Sequence, residues 1–267
     1  LGILCILFIY LQSQPFSDNR EITFLAYVIC GGEGMTVLLL ALDDTDNLHS
    51  PGTGRLARDI ASEIQKHYTV LGVTRHQLYQ HPAIPMTSNN SCAVIHVSGA
   101  GDTASDEIYA LARGFMLRSM VHGSDPGIAV ALSHQITPDV IEFGKATKNT
   151  IVNQDRARKI AGDAGVRVEG LGGSHDGIIG AVAGIGLAAT GNDGRFVMKG
   201  ALRTVRGVQS VSALLDAGID RVSTVDGIPV VDGEVALEKF PRPALINGGA
   251  VLFVQKRENH YIDIKRG

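Results

Sequence analysis

The sequence predicts a mixed α+β or α/β fold, and three observations carry that expectation. The unbroken apolar run Val37-Leu38-Leu39-Leu40-Ala41-Leu42 has the length and composition of a strand buried on both faces. Leu56, Ile60 and Ile64 then fall on one helical stripe. Strand-like and helix-like patterns go on alternating after that point, starting with an apolar segment at 70–74.

Taken in order, 37–42 is the first strand, and Pro51-Gly52-Thr53-Gly54 interrupts the chain before a helix over 55–67. Residues 81–90 hold Pro82, Pro85 and a polar Thr-Ser-Asn-Asn run, so they form a loop between strands at 70–74 and 92–97. A helix follows over 105–121. Ser124-Asp125-Pro126-Gly127 is a turn, and 128–132 is a strand. Two helices come next, Pro138–Ala146, with proline suited to a first turn, and 155–164. After a short strand at 166–168, a glycine-rich stretch leads into a helix of small residues over 178–189. Residues 211–217 read as helix. Asp226-Gly227 and Asp232-Gly233 read as hairpin-type turns, and strands at 251–255 and 261–265 close the chain through Arg257-Glu258-Asn259. Lys148-Asn149-Thr150 separates two helical stretches and marks an expected domain boundary near residue 150.

At 267 residues and 45% hydrophobic, the chain holds enough apolar material for one large domain or two ordinary ones. That content, with a net charge of −3, excludes long disorder and any overall basic footprint, while leaving room for a local basic patch. Cys5, Cys30 and Cys92 are widely spaced with no C-x-x-C, so a zinc ribbon is not expected and a reducing cytoplasm is. The apolar stretch 3–11 is too short to span a bilayer and has no basic residue before it, so neither membrane anchor nor signal peptide is expected. Residues 1–34 read as a non-native or disordered extension upstream of a start at Met35; the competing reading is an N-terminal element packed on the domain.

The chemistry concentrates at Asp43-Asp44-Thr45-Asp46-Asn47, where the first strand surfaces. Carboxylates this close repel, and a bound cation relieves that repulsion. Oxygen ligands suit Mg²⁺, which commonly also contacts substrate phosphates. A solvated Asx turn is the plainer alternative. Ser50-Pro51-Gly52-Thr53-Gly54-Arg55 then opens a helix whose free N–H groups favour phosphate. Thr53 is there to bind metal, accept a phosphoryl group or simply cap the helix. The segment Gly170-Leu171-Gly172-Gly173-Ser174-His175-Asp176-Gly177 lacks the lysine of a P-loop and serves equally as a turn before a closely packed helix. Its Ser174, His175 and Asp176 are polar groups able to face a ligand. Asn89, Asn90 and Ser91 are positioned to contact ribose or phosphate, or to be solvated turn residues. His81 and His175 lie in these loops without an assigned chemical role.

These elements, in this order, resemble the isoleucine-tRNA agmatinylcytidine synthetase family (TiaS) over residues 37–190. Asp43-Asp44-Thr45-Asp46-Asn47 is similar to that family's Asp-Asp-Thr-Asp-Ser motif, and Thr53 stands at the spacing of its reactive threonine region. His81-Pro82-Ala83-Ile84-Pro85 resembles Asn-Pro-Thr-Ile-Pro. Asp125-Pro126-Gly127 resembles Asn-Pro-Gly. Residues 175–184 resemble Gly-Arg-Gly-Leu-Ile-Gly-Ala-Leu-Ala-Ala. The resemblance implies a kinase-like α/β domain over 35–150 and a ferredoxin-like domain over 151–267. It also implies an enzyme in which ATP with Mg²⁺ activates a wobble cytidine before agmatine attacks. Asp43, Asp44 and Asp46 would organise metal and phosphates. Thr53 and Asp44 would be catalytic, with Thr53 the phosphorylated residue, and Gly52, Gly54, Asn89, Asn90, Gly177 and Gly180 would contact the nucleotide. The implied acceptor is RNA or a small molecule.

The chain also departs from the family pattern. The family's basic residues fall here on Thr87, Asn89 and Asp176, its cysteine is Gly52, and its second threonine is Gly54. An OB-domain and zinc-ribbon extension is not expected within this length. Loss of phosphate-facing charge weakens triphosphate binding, so a different or reduced substrate is expected. Two other readings compete. Asp44 and Asp46 have the two-residue spacing of haloacid-dehalogenase-type phosphatases, although Leu48 stands where a threonine is expected. The missing basic residues equally suit a non-catalytic nucleotide sensor.

Overall fold

The structure, a computed structural model, describes residues 36–47, 50, 52–86 and 89–265. The expectations for the 1–34 extension, Met35, Cys5, Cys30, Leu48, Pro51 and Thr87 lie outside the described residues. The rest is a mixed α/β protein built on one large, mostly antiparallel sheet.

Strand β1 (Val37–Asp43) is the axis of the first half. It pairs antiparallel with β3 (Ser91–Ser98) on one side and β4 (Gly127–Leu132) on the other. Strand β2 (Thr69–Gln77) extends the sheet beyond β3, and β5 (Arg167–Gly170) beyond β4. Alternation along β1 feeds two cores. Leu38, Leu40 and Leu42 pack with Ala57, Ile60, Ala61 and Ile64 of helix α1 (Thr53–Ile64) and with Ile108, Ala112 and Met116 of helix α2 (Asp102–Ser119). Val37, Leu39 and Ala41 face helices α3 (Pro138–Ala146), α4 (Gln154–Ala164) and α5 (Gly177–Ala189). Each of the four leucines of β1 is almost wholly buried, and each contributes about 1.5–3 kcal/mol of apolar transfer.

The expected strand therefore forms, one residue longer than its apolar run. The helix expected at 55–67 starts earlier, at Thr53, because Gly52 serves as its N-cap, and it ends at Ile64. The stripe of Leu56, Ile60 and Ile64 does face the core.

Helix α5 sits unusually close to its neighbours, and its glycines explain how. A Cβ on Gly186 would lie 2.1 Å from the Val140 carbonyl of α3, and one on Gly184 only 3.0 Å from Cys92 Sγ and Val94. Only a residue without a side chain permits this approach.

Thr150 lies between α3 and α4, both of which pack in the core under β1. The change of core comes later, between Ala189 and Phe196. Strand β6 (Arg195–Met198) pairs with β2 and begins the second half. It continues with β7 (Gly207–Ser210), helix α6 (Val211–Asp216), β8 (Arg221–Thr224), β9 (Glu234–Leu237), β10 (Ala244–Ile246), β11 (Gly249–Arg257) and β12 (His260–Asp263). The sheet runs β5-β4-β1-β3-β2-β6-β10-β11-β12-β9-β7, with β8 parallel to β11. The expected closing hairpin is present, with Arg257 opposite His260.

A buried polar chain ties the two halves. The Thr74 hydroxyl contacts Nε2 of His76 at 2.7 Å and Nε2 of His96 at 2.8 Å. His76 Nδ1 meets Asp193 at 3.0 Å, and Lys148 also pairs with Asp193. Burial pushes His96 down to about 3, so it stays neutral. Among the described residues, no helix is long and apolar enough to cross a membrane.

The close seating of α5 is testable by two glycine substitutions. Gly186→Ala drives a methyl into the α3 backbone and is expected to destabilise by about 1–3 kcal/mol. Gly162→Ala in α4 meets nothing within 4 Å and is expected to stabilise by about 0.5–1 kcal/mol. Urea unfolding of both variants checks the pair; equal effects would contradict the packing described.

Candidate functional site

Strand β1 ends at Asp43, and the chain turns sharply because Asp44 takes a left-handed φ of 49°. Aspartate tolerates this region better than most residues, and such conformations cluster where function demands them. The Asp43 carboxyl points at α5, where a Cβ on Gly180 would sit 1.8 Å from its Oδ2. Gly177, the first residue of α5, lies against the Asp125 carbonyl, the Gly127 amide nitrogen and the Asp43 carbonyl. The structure thus brings Gly177 and Gly180 to the acidic strand end, and close approach is what both glycines are for.

Two further carboxylates join from the loops. Asp125 accepts from the Ser174 amide at 2.9 Å and from its hydroxyl at 2.6 Å, clasping the glycine-rich turn. Asp176 accepts from Gln154 Nε2 at 2.7 Å. Burial, followed by the Asp44 charge, pushes the Asp43 carboxyl up to about 8. Burial, then the charges of Asp125 and Asp46, raises Asp44 to about 6. Sequence reasoning leaves Asp125 as a turn residue and misses its place here. A signal was present in the Asp-Pro-Gly turn and the glycine segment, but nothing in their spacing shows that the two loops meet.

Thr53 is where the structure is most informative. It is the first residue of α1 and is buried, and it does not cap the helix. Its hydroxyl donates to Asp46 Oδ1 at 2.8 Å and accepts from the Thr45 hydroxyl at 3.0 Å. A hydroxyl whose proton already points at a carboxylate has the geometry for proton abstraction. The first turn of α1 has no side-chain cap, and among the described residues only Asp46 and Arg58 come within 4 Å of the Cβ positions of Gly52 and Gly54.

The Asn pair behaves differently. Asn90 Nδ2 donates to the Tyr79 carbonyl, and its own carbonyl accepts from the Leu78 amide and the Gln77 side chain. Its amide thus braces the 79–90 loop. Asn89 is exposed in the same loop. His81 Nδ1 accepts from the Ala83 amide, and His175, with φ 69°, packs its ring on Gly170.

Positive charge comes from β2, where Arg75 is electrostatically coupled to Asp46. Arg75 of β2 and Arg195 of β6 are directly opposite one another across the strands, an arrangement of like charges that destabilises a sheet by about 0.2–1 kcal/mol. Arg75 Nε donates to Ser91 Oγ at 2.8 Å. Burial and then Arg242 hold Arg75 below its ordinary value, with Asp46 opposing them. Burial, then Arg75 and Arg242, does the same for Arg195. No sequence motif marks these arginines, because they come from distant strands joined only by the β2–β6 pairing.

Asp43, Asp44 and Asp46 do not close into a metal cage. Among the described residues, no three His, Cys, Asp or Glu side chains converge to hold an ion. That is compatible with Mg²⁺, which usually keeps several waters and takes one or two carboxylates plus substrate phosphates. Burial first, and then the neighbouring carboxylates, raise Asp43 and Asp44, and a cation bound here would relieve that repulsion.

A pH dependence follows from Asp43. The folded protein keeps this proton to about pH 8, whereas a free aspartate loses it near 3.8. Between those values the folded state binds the extra proton, so stability falls as pH rises through the window. Asp43→Asn has no such titration. Denaturation between about pH 5 and pH 8 is expected to show wild type losing ground to Asp43→Asn on the alkaline side; parallel profiles would contradict the burial of this carboxyl.

No protein-family model and no curated protein matches the chain. Among solved structures it is similar to apo TiaS, a tRNA agmatidine synthetase, with 17% identity and a TM-score of 0.48 over 56% of this chain and 35% of that one. It is also similar to TiaS in complex with its isoleucine tRNA and ATP, and with that tRNA, AMPCPP and agmatine, each at 18% identity and a TM-score of 0.48. In both, the match covers 57% of this chain and 36% of the other. The chain therefore spans little more than a third of the length of the TiaS chains that it resembles.

Proposed function

We propose that the chain is an ATP- and Mg²⁺-dependent phosphoryl-transferring or nucleotide-activating enzyme. On this reading it is related to tRNA wobble-cytidine agmatinylation, acts on a different or reduced substrate, and has a kinase-like unit followed by a ferredoxin-like one. The observation that carries the reading is the Thr53 hydroxyl, aimed at Asp46 at 2.8 Å in an acidic strand end. Arg75, whose charge is coupled to Asp46, supplies the opposite sign.

In the proposed chemistry the terminal phosphate lies between Thr53 and the arginines. Thr53 Oγ1 attacks phosphorus as its proton passes to Asp46, and the bond to the nucleoside diphosphate breaks. Arg75 and Arg195 bind and orient the equatorial phosphate oxygens, which carry the transition-state charge. The uncapped N–H groups at the start of α1 add donors. Asp43, Asp44 and Asp46 would hold the Mg²⁺, which supplies charge neutralisation at the phosphates. Gly177 and Gly180 act by letting Asp43 sit against α5.

The arginines also weigh between readings. The sensor reading draws on the missing basic residues at Asn89 and Asp176. On the proposed reading Arg75 and Arg195, paired across β2 and β6, would provide that charge from elsewhere in the fold. A dehalogenase-type phosphatase needs Asp44 as its nucleophile and a threonine where Leu48 stands, and that mismatch counts against it.

Incubation with γ-labelled ATP and Mg²⁺ tests the proposal. Wild type is expected to take up label, Thr53→Ser to retain it and Thr53→Ala to lose it. Arg75→Ala is expected to slow labelling by about 100-fold, as for loss of one transition-state donor. Undiminished labelling of Thr53→Ala, or phosphatase activity that requires Asp44 alone, would overturn the assignment.

A further inference from the structure

The hydrogen bonds of Thr53 use everything its hydroxyl has. A hydroxyl carries one proton and two lone pairs. The Thr53 proton goes to Asp46 Oδ1 at 2.8 Å. The Thr53 oxygen accepts from the Thr45 hydroxyl at 3.0 Å and from the Thr45 backbone amide at 3.4 Å. Thr45 alone therefore occupies both lone pairs. Attack on phosphorus needs one of them free. In this arrangement Thr53 has the base that a nucleophile requires but no electron pair available to react.

Local structure puts Thr45 there. Asp44 takes its left-handed φ of 49° one residue earlier, and the turn folds Thr45 against the first residue of α1. Thr45 is 5% and Thr53 7% exposed, whereas Asp44 and Asp46 on either side of Thr45 are only half-buried. Water competes poorly for a proton so enclosed. Among the described residues, the Thr45 hydroxyl donates to nothing else. The two contacts differ in how they let go. The amide is fixed by the backbone. The hydroxyl proton turns away by rotation about the Cβ–Oγ1 bond, without any heavy atom moving. An anionic oxygen is a stronger acceptor than a neutral hydroxyl, so an anion beside Thr45 draws that proton off Thr53.

We infer that Thr45 is a positioning residue that holds the Thr53 nucleophile at rest, freeing a lone pair on Thr53 Oγ1 when its own hydroxyl proton turns to an anionic phosphate oxygen. This rests on the nucleotide-site reading for the phosphate, while the block on Thr53 rests on the hydrogen bonds alone. In the released state the Oγ1–P bond forms and the Thr53 proton passes to Asp46. The bond from phosphorus to the bridging oxygen breaks, and its electron pair leaves with the nucleoside diphosphate.

Two phosphorus electrophiles test this on the full chain, with modification of the peptide that carries Thr53 followed by mass spectrometry. The first is diisopropyl fluorophosphate, which is neutral and offers no anionic oxygen. Its reaction forms an Oγ1–P bond, expels fluoride and passes the Thr53 proton to Asp46. Thr45→Val keeps the shape and the amide but removes the hydroxyl donor. It is expected to react at Thr53 about 10-fold faster than wild type, as for release of one hydrogen bond. Thr45→Ser restores the hydroxyl and is expected to return to the wild-type rate. A residue that only supports the fold gives no such gain. The second electrophile is γ-labelled ATP with Mg²⁺, whose phosphate releases wild-type Thr53 by itself, so Thr45→Val is expected to gain nothing. Thr45→Val no faster than wild type with the fluorophosphate overturns the inference, as does an equal gain with both electrophiles. Labelling of Thr53 by ATP without the fluorophosphate gain removes the role of Thr45 and leaves the nucleotide reading standing. The fluorophosphate gain with no labelling by ATP keeps Thr45 as the block on Thr53 and removes that reading.

Discussion

The site depends on how closely α5 approaches the end of β1. That approach puts the Gly177 and Gly180 backbone where side chains would otherwise stand, and it forces the Asp43 carboxyl into the space beside Gly180. Once Asp43 is buried there, Asp44 must turn through a left-handed conformation, and Asp46 comes to rest beside the first residue of α1. The same approach clasps the glycine-rich turn onto Asp125. One packing constraint therefore gathers acidic side chains from three separate segments. The energetic consequence is unfavourable in the isolated protein, because like charges are crowded and partly desolvated. A fold that keeps such an arrangement holds strain that a bound cation and its phosphates would relieve.

The arginine wall has the opposite sign and the same character. Arg75 and Arg195 face one another across paired strands, where like charges are disfavoured. The acidic end and the basic wall meet at Asp46, the residue that takes the Thr53 proton in the proposed transfer. Each half of the site is frustrated alone, and on the proposed reading a metal-bound triphosphate would complement both. The buried Thr74, His76, His96 and Asp193 chain fixes β6 against β2 and so sets where Arg195 stands relative to Arg75.

Much of this is legible in the sequence where the signal is local. The run from Val37 to Leu42 declares a strand buried on both faces, and Leu56, Ile60 and Ile64 declare the face of α1. The Asp cluster and Thr53 stand out as near neighbours in the chain, and the hydrogen bond to Asp46 shows that they also meet in space. Short strands such as β6 and β10 escape, since segments of three or four residues carry too little alternation to be distinguished from loops. The arginine wall escapes for a different reason. Arg75, Arg195 and Arg242 come together only through the β2–β6–β10 pairing and its flanking loops, and no periodicity within one segment records a contact of that range. Asn90 shows a third kind of ambiguity, because an asparagine at a loop end serves a backbone carbonyl as readily as a ligand.

The central claim is that acidic end and arginine wall form one site for a metal-bound nucleotide. Isothermal titration calorimetry with ATP, in the presence and absence of Mg²⁺ and in buffers of different ionisation enthalpy, tests it most directly. The account predicts binding that requires Mg²⁺ and that releases about one proton near neutral pH, as the raised Asp43 carboxyl ionises toward the cation. Binding that ignores Mg²⁺ and exchanges no proton would contradict it.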